Sequence, residues 1–312
     1  MIDIAAPNPS LQIAVIGDVH DQWDEQDIAA LQSLKVDLVL FVGDFGNESV
    51  DVVRSIASLP LPKAAIFGNH DAWYTATPWG RRKCPYDRQS EDWVQQQIDL
   101  LGPADVSYSK RDFPELGVTV IGGRPFSWGG SEWKYEAFYR DRYGVHSFEE
   151  SLARMKAAID AAAFDTLIFV GHCGPTGLGD APESPCGRDW KPLGGDFGDP
   201  DFAAAIAYAQ RLGKSVPLVT FGHMHHHLRH RQDRLRQRVS RDSADTLYLN
   251  VACVPRIVQT ATTCAHNFSL VTLTKQQVQR SHLVWVDQTH TITSTEDLLA
   301  ELSPQKPLQP LS

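Results

Sequence analysis

Cysteine is scarce in this chain and follows no pattern. Cys84, Cys173, Cys186, Cys253 and Cys264 make no C-x-x-C pair, and a count of 5 does not close into a disulfide framework. Zinc-ribbon and iron–sulfur chemistry are therefore argued against, and a reducing compartment is expected. Long apolar runs are missing too: nothing approaches the ~18 residues that a membrane span needs. Met1 to Ser10 has neither the basic nor the apolar segment of a secretory signal, so a cytoplasmic location is expected. Positive charge is in deficit, 29 Lys and Arg against 38 Asp and Glu, for a formal net charge of −9. Such a balance keeps a protein soluble but does nothing to attract polyanions, so nucleic acid and acidic membranes are not expected partners.

What the chain does have is a series of short polar motifs, each closing an apolar run. Leu11 to Ile16 leads into Gly17-Asp18-Val19-His20, and Val36 to Val42 into Gly43-Asp44. Ala64 to Phe67 leads into Gly68-Asn69-His70-Asp71, Leu167 to Val170 into Gly171-His172, and Leu218 to Phe221 into Gly222-His223-Met224-His225. Short β-branched runs of this kind suit buried strands of an α/β sheet, and a polar residue just past each strand falls at the carboxyl edge, where open sheets place ligands.

The residue types narrow the chemistry. Asp18, Asp44 and Asn69 with His20, His172, His223 and His225 form an oxygen and imidazole set without thiolate. That set suits manganese, iron, zinc or magnesium, with manganese favoured. Two divalent ions about 3.5 to 4 Å apart can hold a hydroxide between them and clamp a phosphoryl group during in-line displacement. Alone, a strand-end Asp is commonly a helix cap and a lone His a hydrogen-bonded structural group. Those readings multiply poorly across so many positions.

In their order, the motifs resemble the calcineurin-like metallophosphoesterase superfamily over residues 11 to 255. The resemblance implies a two-sheet α/β/β/α sandwich with mixed sheets. It also implies that Asp18, His20 and His225 hold one metal, that Asn69, His172 and His223 hold a second, and that Asp44 bridges them. His70 resembles the family's catalytic histidine, and Asp71 its orienting carboxylate. An Asp bonded to one imidazole nitrogen would fix the tautomer of His70 and fit it to protonate a leaving alkoxide.

Departures from the phosphoprotein phosphatases of that superfamily lie at Asp21, Glu48 and Asp71. Glu48 stands where those enzymes carry a phosphate-binding arginine, and a carboxylate cannot replace a bidentate guanidinium. The expected activity is hydrolysis of a small phosphomonoester or phosphodiester by a metal-bridging hydroxide. A nuclease on the same site and a non-catalytic metal-binding scaffold for a partner protein are the alternatives. The segments Asp44 to Glu48, Gly122 to Ser127 and Val254-Pro255-Arg256 further resemble a little-studied subgroup found in photosynthetic organisms.

Because the motifs must converge, residues 1 to 290 are expected to form one phosphoesterase domain, with insertions at about 72 to 117 and 174 to 198 and a short helix and tail over 291 to 312. Helices are expected over Asp24 to Leu34, Ser49 to Ala57, from Ser147 and from Pro200, and a short one over Ser294 to Leu302. Strands Leu247 to Val251, Phe268 to Leu273 and Leu283 to Val286 are expected to form the antiparallel part of a second sheet. Trp73, Tyr74, Trp79, Arg81 and Arg82 in the first insertion could stack a base or hold a phosphate, or simply pack the loop. Arg124, on a loop after the strand Val118 to Ile121, is the preferred phosphate ligand, and Arg256 a weaker one. The arginine-rich stretch Arg229 to Arg241 has no aromatic interleaving and reads as a solvated turn.

Overall fold

The computed structural model describes residues 10–260 and 262–302; the segment before Ser10 and the tail 303–312 lie outside the described residues. Uninterrupted Val, Ile, Leu and Phe runs form strands covered on both faces, because no position is left for a solvent-facing polar side chain. The chain first lays down β1 (Leu11–Ile16), β2 (Leu38–Phe41) and β3 (Lys63–Ala65) as parallel neighbours. It crosses to a second sheet for β4 (Lys110–Phe113), β5 (Val118–Gly122), β6 (Thr166–Val170), β7 (Ser215–Phe221), β8 (Val239–Arg241) and β9 (Leu247–Asn250). It then returns to the first for β10 (Ile257–Gln259), β11 (Cys264–Thr274), β12 (Gln277–Asp287) and β13 (Ile292–Asp297).

Both sheets are mixed. In the first, β11 runs antiparallel to β1 and to β12; in the second, β5, β6, β7 and β9 are parallel and β4 and β8 are antiparallel edges. The inner faces meet directly, with Val15, Leu40 and Val42 of one sheet in the same apolar cluster as Val120, Val170 and Leu218 of the other. Helices cover the outer faces. Phe41 and Phe67 pack with Leu31, Val53 and Ile56, while Phe169 and Phe221 pack with Met155, Phe202 and Ile206. These layers make the α/β/β/α sandwich. Each fully buried Leu, Ile or Phe in it contributes roughly 1.5–3 kcal/mol of transfer free energy.

Local chemistry starts the helices where expected. Asp24 caps Glu25–Ser33, accepting from the Gln26 amide while Asp27 returns a bond to the Asp24 amide. Ser147 opens Phe148–Asp160 by accepting from the Glu150 amide at 3.3 Å. The C-terminal expectations change in two respects. The hairpin β11–β12 belongs to the first sheet, where β11 pairs with β1, while β9 continues the parallel row of the second sheet beside β7. A polar, exposed stretch that reads as helix, Ser294 to Leu302, is instead the edge strand β13 followed by a 3-10 turn over Leu298–Leu302. Backbone pairing with β12 outweighs its helical propensity. No helix is long and apolar enough to cross a membrane among the described residues.

Candidate metal centre

Each strand of the parallel rows ends in a tight turn that lifts a polar side chain to one edge. Four of these residues adopt the left-handed backbone that L side chains rarely take: Asp18 (φ 48°), His20 (46°), Asp44 (54°) and His223 (66°). Conformations of this kind cost of order 1–3 kcal/mol each and concentrate where a side chain must be aimed. Glycine supplies the close approach. A Cβ on Gly68 would stand 2.3 Å from Asp44 Oδ1 and 2.4 Å from its amide nitrogen, so the second and third motifs meet backbone to backbone.

All seven expected metal-binding side chains converge. Asp18, His20 and His225 form one group, with Asp18 Oδ2 3.1 Å and His20 Nε2 3.2 Å from His225 Nε2. Asp44, His172 and His223 form another. Asn69 joins the second through Oδ1, 2.9 Å from His172 Nε2. Asp44 faces both groups, its Oδ1 3.3 Å from His172 and its Oδ2 3.8 Å from His20.

The donor atoms fit divalent cations. His172 Nδ1–H donates to the Val42 carbonyl at 2.8 Å, so its Nε2 carries a lone pair. That lone pair points at two more electron-rich atoms, Asn69 Oδ1 and Asp44 Oδ1. Three facing lone pairs repel unless a positive charge lies among them, and fixing the far nitrogen on a carbonyl is how metal-ligating imidazoles are oriented. Burial, followed by the His172 imidazole, pushes His223 down to about 3, keeping it in the neutral form that coordinates. Burial also opposes ionisation of Asp18, but the His225, His172 and His20 imidazoles outweigh it and hold that carboxyl well below its ordinary range.

His70 lines the same cavity, its ring edge-on to His20 at 5.0 Å. Its expected partner is corrected. Asn47 Oδ1 accepts from His70 Nδ1–H at 2.7 Å. Asp71 instead receives the backbone N–H groups of Gly68 at 2.7 Å, Phe45 at 2.8 Å, Asp44 at 3.0 Å and Gly46 at 3.4 Å. A buried carboxylate beside so many unpaired amide donors satisfies them, and so clamps the bridging turn to the third motif.

Arg124 is also corrected. Its side chain is 2% exposed and is held by Asp199 at 2.5 Å and Asp201 at 3.0 Å, with Trp133, Tyr139 and Phe148 rings around it. Those carboxylates raise its pKa well above the ordinary value although burial works the other way. The helix Pro200–Arg211 starts where expected, yet Asp199 caps nothing with its side chain because Arg124 and Ser127 occupy it. Arg256 is likewise buried, paired with Asp27 at 2.8 Å. Glu48 faces away from the cavity and anchors the first insertion, accepting from the Thr75 amide at 2.6 Å and from Tyr86.

The arginine-rich stretch is not a solvated turn throughout. Arg236 and Arg238 are buried, the first on backbone carbonyls and the second on Glu296 and Glu301. The cations that line the cavity are Lys134, Arg229 and Arg236, the last already committed to carbonyls, and charge count alone did not single them out. The cavity has a volume of about 370 Å³.

A sequence profile described as calcineurin-like phosphoesterase matches residues 11–227. No curated protein sequence matches significantly. One solved structure aligns with a TM-score of 0.50 at 11% identity, covering 93% of this chain and 99% of its own. The protein TT1561 of Thermus thermophilus aligns with a TM-score of 0.44 at 12% identity, covering 92% and 99%. A metallophosphoesterase from Sphaerobacter thermophilus aligns with a TM-score of 0.33 at 14% identity, covering 84% and 83%. At such identities the first of these bears on the fold alone.

Proposed function

The chain belongs to the calcineurin-like phosphoesterase family, whose members hydrolyse phosphoesters with divalent metals, and from that premise we propose that this protein is a binuclear hydrolase of a small phosphomonoester or phosphodiester. Asp18, His20 and His225 would hold one cation, Asn69, His172 and His223 the other, and Asp44 both. The oxygen and imidazole donors suit manganese, iron, zinc or magnesium, and manganese is taken as the working assignment. Such a pair supplies Lewis acidity, which lowers the pKa of water and polarises phosphoryl oxygens.

The observation that carries this reading is the double reach of Asp44, 3.3 Å to His172 and 3.8 Å to His20 from separate oxygens. Lys134 and Arg229, on the cavity wall, meet the charge of the substrate in place of Arg124. His70, with Nδ1 committed to Asn47, presents Nε2 to the cavity. In the reaction a water oxygen bonds to phosphorus while the ester P–O bond breaks. Burial holds His70 below its ordinary pKa, so the imidazole takes up at Nε2, through solvent, the proton released by water and passes it to the departing oxygen, which keeps the electron pair of the broken bond.

The test uses Asp44→Asn. Wild-type protein purified without chelator should carry two metal equivalents by mass spectrometry and turn over bis-p-nitrophenyl phosphate with added manganese. The variant should lose metal and turnover together. Wild-type stoichiometry and rate in Asp44→Asn would exclude the bridging assignment, and wild-type protein that binds metal but hydrolyses neither mono- nor diaryl phosphate would point to a scaffold.

A further inference from the structure

Large aromatic rings flank the cavity over the metal centre without being sunk in the core. Trp73 and Trp128 form one wall, with ring centroids 5.3 Å apart and planes 27° apart. The Trp73 ring continues inward as a stack on His70, at 4.9 Å and 5°. Trp190 and Phe197, from the second insertion, form the other wall at 5.0 Å and 73°. All four are partly exposed. Two cations stand with the second wall: Lys134 Nζ is 5.5 Å from the Phe197 ring centre, and the Arg229 guanidinium is 5.6 Å from that of Trp190.

Rings that only fastened the insertions to the sheet would be covered by them, and aliphatic side chains would serve as well. Here the rings share one cavity with Asp44, Asn69 and His223. A concave site with flat apolar walls, metal-binding groups at its base and cations at its side complements a molecule that is flat and apolar at one end and anionic at the other. We propose that this cleft selects phosphoesters carrying a planar aromatic group, which lies against Trp128 and Trp190 while the phosphoryl group reaches the metal residues. The inference rests on the reading of the site given above, and it adds the specificity that the metal residues do not supply.

Binding measured by titration calorimetry on the manganese-loaded protein tests the inference separately from turnover. Benzylphosphonate, cyclohexylmethylphosphonate and methylphosphonate share a head group that is not hydrolysed, and differ in planarity and bulk. Benzylphosphonate should bind more tightly than the cyclohexyl analogue by roughly 2- to 13-fold, the worth of one aromatic pair beyond its area burial. Trp128→Ala and Trp190→Ala should each cut that ratio, with a larger loss of affinity for benzylphosphonate than for methylphosphonate, and the Phe variants should keep most of the ratio. Equal binding of the planar and cyclohexyl ligands, or a ratio untouched in both Ala variants, overturns the proposal. The non-hydrolysable phosphonate analogue of thymidine 5′-monophosphate, with CH2 in place of the ester oxygen, separates the two sources of a flat ring: tighter binding than benzylphosphonate assigns a nucleoside, weaker binding a simple aryl group. A protein that meets these binding rules but hydrolyses no phosphoester would retain the cleft assignment and overturn the hydrolase reading instead.

Discussion

Asn47 holds His70: its Oδ1 accepts the imidazole Nδ1–H at 2.7 Å, across a gap of 23 residues in the chain. The adjacent carboxylate of Asp71 is turned to backbone amides. His70→Ala should therefore keep both metals and lose roughly 10²- to 10⁴-fold in rate on esters with poor leaving groups, less on nitrophenyl esters. Asn47→Ala should show the same leaving-group dependence with a smaller loss, roughly 10- to 100-fold, as expected for a group that orients another. A rate unchanged by Asn47→Ala for an alkyl ester would remove its positioning role.

Arg124 is committed to Asp199 and Asp201, and we predict that it stabilises the fold and does not meet substrate. Removing it leaves the Asp199 and Asp201 carboxylates buried without their cation, and Arg124→Ala should cost about 3–5 kcal/mol in chemical denaturation. At temperatures where the variant is folded, KM should match the wild type. A raised KM with unchanged stability would return Arg124 to the substrate.

Gly68→Ala tests the backbone contact between the second and third motifs. The added methyl would sit 2.3 Å from Asp44 Oδ1. Asp44 has to move, so metal stoichiometry should fall, with an overpacking cost of roughly 1–3 kcal/mol. Full metal loading in the folded variant would show that the turn tolerates a side chain.

Asp105 predicts a pH effect remote from the metals. Burial pushes its carboxyl up to about 6, against the hydrogen bond from the Ser107 amide. A carboxyl raised in the folded state favours folding most below its unfolded pKa of about 3.9, and that contribution is lost as pH rises through 6. Asp105→Asn keeps the acceptor for the Ser107 amide, at 2.8 Å in the wild type, and removes the ionisation. Its stability relative to wild type should rise between pH 4 and pH 7 by on the order of 2 kcal/mol. Parallel stability profiles across that window would show that Asp105 ionises without penalty.

Much of the sandwich was legible because its signals are local. A buried strand such as β6 is a run of apolar residues, and the polar residue that follows must emerge at the sheet edge, so His172 could be placed from its neighbours alone. Partnerships between distant segments were not legible. Nothing near Arg124 announces Asp199 and Asp201, and charge alone cannot distinguish a guanidinium that awaits phosphate from one already neutralised. The same holds for Arg236 and Arg238, which a count of arginines places at the surface. Strand membership failed for a related reason: the apolar pattern of β11 is satisfied by either sheet, and its pairing with β1 depends on long-range register.

Arg236 donates from Nη1 to the carbonyls of Pro182 (3.0 Å), Ser184 (2.9 Å) and Gly187 (2.7 Å), and from Nε to that of His225 (3.0 Å). The wall that carries Trp190 is thus cast in one piece with the turn that carries His225, a mould and not a door. Swinging that wall outward to admit a bulkier ester would break these bonds and disturb the turn that holds His225 beside Asp18 and His20. Adaptation to new substrates must therefore recarve the cleft by exchanging the side chains on its walls, with the loop that bears them left where it is.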